Sequence, residues 1–178
     1  MSIEKNCTSS SPRPTKMQPA PQGKTSNVLS GPKRSPRTIE TSRFGSLEID
    51  DGKVIVFPHG LIGFTEHRRF TLLDHAPGSP FHWLQSVDTG DLAFPLADPD
   101  HFVEGYVVNP PLDLETVLGP FSTEDLWLGV IATFLHDSAS VTLNLKAPLI
   151  LNTRTRLGVQ TVLEDPNVPI RFPISREK

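Results

Sequence analysis

From residue 38 onward, apolar and polar positions alternate in short runs broken by turn residues. Thr38-Ile39-Glu40-Thr41 and Ser46-Leu47-Glu48-Ile49 carry the period of two expected of half-buried strands. Asp51-Gly52 follows as a hairpin signal, with Val54 to Phe57 as the returning strand. Phe70 to Leu73 is a further strand, and Ala76-Pro77-Gly78-Ser79-Pro80 is a loop by composition. Phe81 to Val87 and Leu92 to Leu96 then read as the arms of a hairpin around Asp88-Thr89-Gly90-Asp91. Pro95 lies in the second arm and cannot donate to a ladder, so that arm is an edge strand or bulges there. Tyr106-Val107-Val108 is a short strand closed by Pro110-Pro111.

Leu112 to Leu118 is the one helix predicted, with Asp113 or Asn109 to cap it and Gly119-Pro120 to stop it. Leu126 to Phe134 is almost wholly apolar and predicts a central strand. Val141 to Leu145, Leu149 to Leu151 and Val159 to Leu163 complete the set. The pattern is that of one all-β domain of short antiparallel strands, a barrel or a sandwich. About 140 residues suffice for a core of that kind.

Charge divides the chain. Residues 1–37 hold seven basic side chains against one acidic, a balance of +6, while the remainder holds ten basic against nineteen acidic, or −9. The first 37 residues are also rich in Ser, Pro, Thr and Gly and poor in large apolar groups. Such a segment cannot bury enough surface to offset its ordering entropy, so a disordered basic tail is expected. It is an arm for RNA or an acidic partner, or else a solvated extension or the product of a start codon placed too far upstream. Residues 38–174 form the expected folded domain and 175–178 a short C-terminal tail. No apolar stretch approaches the roughly 18 residues of a membrane helix, and the N-terminus lacks a signal-peptide core. A soluble intracellular protein is expected, with no membrane partner. Cys7 is the only cysteine, so no internal disulfide is available.

Candidate chemistry is sparse. The six histidines show no helical i, i+4 pairing, and one cysteine rules out the usual zinc patterns. Asp98-Pro99-Asp100-His101 is the tightest acid–histidine cluster. It reads as a metal or general-base site, or more plainly as a turn capping a strand. A nucleophile elbow, a P-loop and a dinucleotide glycine motif are all missing. No catalytic residue, metal or cofactor is therefore expected. Direct nucleic-acid binding by the body is disfavoured, because its Lys and Arg are few outside Arg68-Arg69 and the stretch from Lys146 to Arg156. Arg154 and Arg156 would share a strand face by parity, near a partner's acid.

The run Phe57-Pro58-His59-Gly60-Leu61-Ile62-Gly63-Phe64 is the most distinctive stretch. Two glycines and a proline bend it, yet it keeps apolar side chains that a solvated loop would not hold. It is shaped for packing or for a partner. Trp83 and Gln85 share one face of their strand; tryptophan suits an interface hot spot, though Trp83 and Trp127 are equally at home in a core. Asn144 and Asn152 flank the Ala147-Pro148 bend and can bond their own turn or offer amides to a partner.

Four stretches in this order resemble the flagellar assembly factor family FliW. They are Ile39 to Gly45, the glycine-bent run, Phe81 to Asp88 with Leu92-Ala93-Phe94 running to Asp98-Pro99, and Leu143 to Gln160. The resemblance covers residues 38–174 and does not reach the basic tail. It implies a compact barrel-like β fold with one or two short helices, a cytoplasmic location and no enzymatic activity. It also implies two protein partners, flagellin before export and CsrA, the RNA-binding repressor of flagellin translation, which are exchanged one for the other. A narrower alternative is a flagellin-specific chaperone with no role in translation. A small β-fold enzyme or carbohydrate-binding domain is a third, open to metal analysis and ligand-induced thermal shifts. The residues expected at partner surfaces are Phe57, Leu61, Ile62, Phe64, Trp83, Gln85, Asp88, Asp98, Asn144, Asn152 and Arg154.

Overall fold

The computed structural model describes residues 37–111, 113–134 and 140–175. The strands are β1 (Arg37–Thr41), β2 (Gly45–Ile49), β3 (Ile55–Val56), β4 (Arg69–Asp74), β5 (Phe81–Ser86) and β6 (Ala93–Ala97). They continue with β7 (Leu126–Phe134), β8 (Ser140–Leu143), β9 (Leu149–Asn152), β10 (Leu157–Gln160) and β11 (Phe172–Ser175). One short helix, α1 (Leu114–Leu118), precedes β7. The fold is all-β, as its alternating pattern predicts.

β7 organises the whole. Its first part, Leu126 to Gly129, pairs with β9; Val130 and Ile131 pair with β6; Ala132 to Phe134 pair with β8. From β6 the sheet runs through β5, β4, β3 and β10 back to β9, which closes a barrel. β8 and β11 continue beyond β7 as a small sheet splayed off the barrel. Nearly all pairings are antiparallel. The exception is β3 beside β10, joined in parallel through Val56 and Leu157, which a purely antiparallel expectation missed.

Alternation assigns the cores. Phe70, Leu84, Leu96, Trp127, Leu149 and Leu151 point into the barrel with Ile55, Phe57 and Leu61. The neighbours of Trp127 and Leu151 point outward, so Leu128 and Ile150 pack under Leu114 and Leu118 of α1. This explains why β7 and β9 read as continuous apolar runs: both faces are covered. A third cluster, with Val130, Ala132, Val141 and Leu143, lies between the small sheet and the chain around Phe102 and Tyr106.

Several expectations are corrected. Asp51-Gly52 makes no hairpin; it forms a single 3-10 turn in which Asp50 Oδ1 accepts from Gly52 N at 2.9 Å. The hairpin lies one step earlier, where β1 and β2 pair as a separate ribbon around Ser42, Arg43 and Phe44. Gly45 takes φ +66° there, and Thr41 Oγ1 accepts from Phe44 N at 2.9 Å. The three-residue loop closed by a left-handed glycine is a common hairpin turn.

Arg37, placed in the tail by composition, already begins β1, and its Nη2 donates to Val87 O at 2.6 Å. Residues 1–36 lie outside the described residues. Tyr106 to Val108 is irregular rather than a strand. The Tyr106 hydroxyl instead donates to Leu145 O at 2.6 Å, and burial pushes its pKa above the ordinary phenol value. β11 was unforeseen, because Pro173 interrupts its pattern and Ser175 was assigned to a tail.

Pro95 is accommodated differently from either expectation. β6 lies between β5 and β7, but its pairing with β7 begins only at Leu96. Ser86 N donates to Leu92 O, so bonded pairs fall at alternate positions and Trp83–Pro95 is a non-bonded pair. The missing N–H thus faces a locally open edge and removes no ladder bond.

Candidate functional site

The glycine-bent run joins β3 to β4 and splits its apolar residues between two environments. Phe57 and Leu61 are 0% and 1% exposed and belong to the barrel core. Ile62 is 56% exposed, and Phe64 sits half out with its ring edge-on to Phe94 at 5.0 Å. The backbone makes this sorting possible. Gly60 N donates to Phe57 O at 2.9 Å and Phe64 N to Leu61 O at 2.8 Å, giving two successive tight turns. Gly60 has φ +68°, and a Cβ there would fall 2.6 Å from the Thr65 backbone. The position therefore requires glycine on both counts. Gln160 fixes the tip from β10: its Oε1 accepts from Ile62 N at 2.9 Å, and its Nε2 donates to Ala147 O at 3.2 Å. A single side chain thus ties the loop to the 144–148 bend.

Trp83 and Gln85 do share a face, and it is covered by the β1–β2 ribbon. The Arg43 guanidinium lies 4.1 Å over the Trp83 ring, and Phe44 meets the same ring edge-on at 5.8 Å. Gln85 is fully buried; its Nε2 donates to the carbonyls of Ser86, Gly90 and Leu92 at 3.0 to 3.1 Å. Asp88 takes a two-point contact from Arg69, with Nε to Oδ2 at 3.1 Å. The Arg69 hydrogen bond holds its carboxyl below the usual carboxylate range.

Asp98 caps the 3-10 turn Pro99–His101, with Oδ1 accepting from Asp100 N at 3.0 Å and Oδ2 lying 3.4 Å from His101 Nδ1. The acid–histidine cluster is thus a capped turn, as its proline suggested. Asn144 N donates to Ile131 O; its side chain is half-buried overall, but its Oδ1 is enclosed with no hydrogen-bond partner among the described residues.

Arg154 and Arg156 are not on a strand face, because residues 153–156 form the turn between β9, which ends at Asn152, and β10. Arg156 adopts φ +60° at its end. Asn152 is 1% exposed and serves both sides of the junction. Its Oδ1 accepts from Arg154 N at 3.0 Å and Thr155 N at 3.1 Å. Its Nδ2 donates to Leu118 O at 3.0 Å and Pro120 O at 3.3 Å. Thr155 Oγ1 also reaches Leu118 O at 2.7 Å. The last carbonyl of α1, Leu118 O, orphaned by helix geometry, finds its partners here. Arg154 donates from Nε to Asp125 Oδ2 at 3.3 Å and from Nη2 to Pro120 O. The Asp125 carboxyl is held below its ordinary value, first by the Ser122 backbone N–H and then by the Ser122 hydroxyl and Arg154.

The structure therefore sorts the expected surface residues by accessibility. Phe57, Leu61, Gln85 and Asn152 are sealed inside the fold and are corrected from surface to core. Asp98 is sealed against its own turn. Ile62, Phe64, Trp83, Asp88 and Arg154 remain wholly or partly accessible. Sequence reasoning missed Arg43, Phe44 and Gln160. Only the Phe44-Gly45 turn signal pointed toward the first two, and nothing local marks Gln160.

The closed barrel, its outer helix and the loop standing partly clear of it define an all-β barrel protein. The description "FliW protein" fits a family model matched by residues 38–174, and the chain belongs to this family. The flagellar assembly factor FliW of Natranaerobius thermophilus is 37% identical over 141 residues, spanning 79% of this chain and 93% of that protein. That of Lachnoclostridium phytofermentans is 36% identical over 141 residues, spanning 76% and 89%. A crystal structure of the flagellar assembly factor FliW is 32% identical, with a TM-score of 0.73 over 80% of this chain and 99% of that one. No helix among the described residues is long and apolar enough to cross a membrane.

Proposed function

We propose that this chain is a cytoplasmic binding protein, not an enzyme, that holds flagellin before export and antagonises CsrA when flagellin is scarce. Free protein captures CsrA and lifts its repression of flagellin translation; accumulated flagellin occupies the protein and returns CsrA to its message. The observation that carries the reading is membership of the FliW family across residues 38–174. Two physical features support it. The portion from residue 38 has a balance of −9, which favours encounter with a basic RNA-binding protein and repels phosphates near the bound partner. Ile62 and Phe64 offer apolar contact on a loop whose backbone is already fixed, suited to an amphipathic segment.

The test is a three-component titration. CsrA bound to labelled flagellin leader RNA should release it when the purified protein is added, and added flagellin should restore binding. Flagellin binding without RNA release would leave only the narrower chaperone function. Steering adds a second readout: CsrA association should slow markedly from low to physiological salt, and flagellin association much less.

A further inference from the structure

Beyond Val130 and Ile131, β7 leaves β6 and follows β8 into the small sheet. The barrel wall and the small sheet diverge there and leave a groove of about 940 Å³. Its floor is aromatic: the Phe81 ring lies 5.4 Å from Phe102 and 5.8 Å from Phe134. Phe172 and Ile174 of β11 form the far wall. The volume is in the upper range of sites that hold a ligand.

The charge of this groove opposes that of the body. No carboxylate lines it among the described residues, although the chain from residue 38 has a balance of −9. Arg43, His75, His82 and His101 do line it. Two of the histidines have carboxylates of their own, His82 with Asp74 at 3.0 Å and His101 with Asp98 at 3.4 Å. Arg43 lies over Trp83 at the rim and has no ion-paired carboxylate among the described residues. A guanidinium stacked on an indole beside an aromatic floor selects for negative charge next to apolar groups. The edge strand β11 supplies shape as well, since among the described residues it pairs only with β8. An extended segment can run along that edge, with Pro173 limiting the bonds it makes.

We propose that this groove docks an extended segment of another protein in which carboxylates alternate with aromatic or aliphatic side chains. The chain's own first 37 residues are basic and have the wrong sign for it. The inference does not depend on which partners the protein has in the cell.

The test uses the full chain and a short fluorescein-labelled peptide, blocked at both ends, that alternates Phe or Leu with Glu. The control has Lys in place of every Glu. Fluorescence polarisation should show saturable binding of the Glu peptide and much weaker binding of the Lys peptide. Arg43→Glu should weaken the Glu peptide about tenfold, the scale for reversing one interface charge. Phe134→Ala should weaken it as well. Both positions are exposed, and circular dichroism should verify that both variants fold. Three results would overturn the proposal: no binding of the Glu peptide, equal or tighter binding of the Lys peptide, or folded Arg43→Glu and Phe134→Ala proteins that bind unchanged. Tighter binding of the Lys peptide would point instead to the chain's own basic N-terminus as occupant.

Discussion

The glycine-bent loop and the turn after β9 are both irregular, and both carry residues of the kind that partners use. They differ in what those residues already do. At the turn, Asn152, Thr155 and Arg154 spend their polar groups on the end of α1 and on Pro120 and Asp125 ahead of β7. In the loop, the polar work is done by the backbone and by Gln160, which leaves Ile62 facing solvent with no internal task. A polar, charged turn is therefore structural here, and the apolar loop is the one with free surface. Residue type alone would have ranked them the other way.

The sharpest break in this comparison comes from neighbouring positions of the loop. Leu61→Asp buries an unpaired charge among Phe57, Phe70 and Leu84, and should cost more than about 4 kcal/mol, enough to unfold the domain. A cooperative melt near that of the parent protein would show that Leu61 is not core. Asn152→Ala comes next. It strips two acceptor contacts from the 153–156 turn and the donor contacts to Leu118 O at the end of α1 and Pro120 O just beyond it, so about 3 kcal/mol should be lost. That corresponds to a fall of about 10 °C in the melting temperature for a domain of this size. A change of only a degree or two would mean that the turn holds without its asparagine.

Ile62→Asp should hardly move the melt, within about 0.5 kcal/mol, because the side chain is mostly in water. It should weaken at least one of flagellin and CsrA in a pull-down. Normal binding of both by the folded variant would remove the loop from any interface.

The smallest effect concerns the Arg69–Asp88 pair, where more than a third of each side chain is exposed. Asp88 has a lowered carboxyl pKa in the fold. Its stabilisation is therefore present above the ordinary aspartate value and lost as pH falls through the lower, folded value. Asp88→Asn should cost less than about 1 kcal/mol at neutral pH, and the difference from the parent should vanish once the pH has fallen below the lowered, folded value. A difference that persists in acid would assign the effect to packing rather than to charge.

The strands from β4 to β9 were legible in the sequence because each has a clean alternation or an apolar run bounded by turn residues. The closure of the barrel was not. It depends on Val56 meeting Leu157 across about a hundred residues, and neither residue signals the other. The Asp51-Gly52 error has a local cause: the Asp50 side chain bonds Gly52 N and winds the chain into a 3-10 turn before a hairpin can form. At the candidate site, parity correctly put Trp83 and Gln85 on one face, but could not say that a ribbon would cover it. Asn152 was recognised as a turn-bonding residue or a partner contact, and only the position of α1 decides between them.

β7 gives the molecule an unusual mechanical economy. One strand of nine residues holds the barrel shut along its first part and carries the small sheet on its last. The two sheets therefore have no seam along which they can separate. Loosening the small sheet frees the end of a strand whose other end is the closing stave of the barrel, so damage on one side is felt on the other. Three distinct hydrophobic clusters should then melt as one cooperative unit, with calorimetric and van't Hoff enthalpies in agreement.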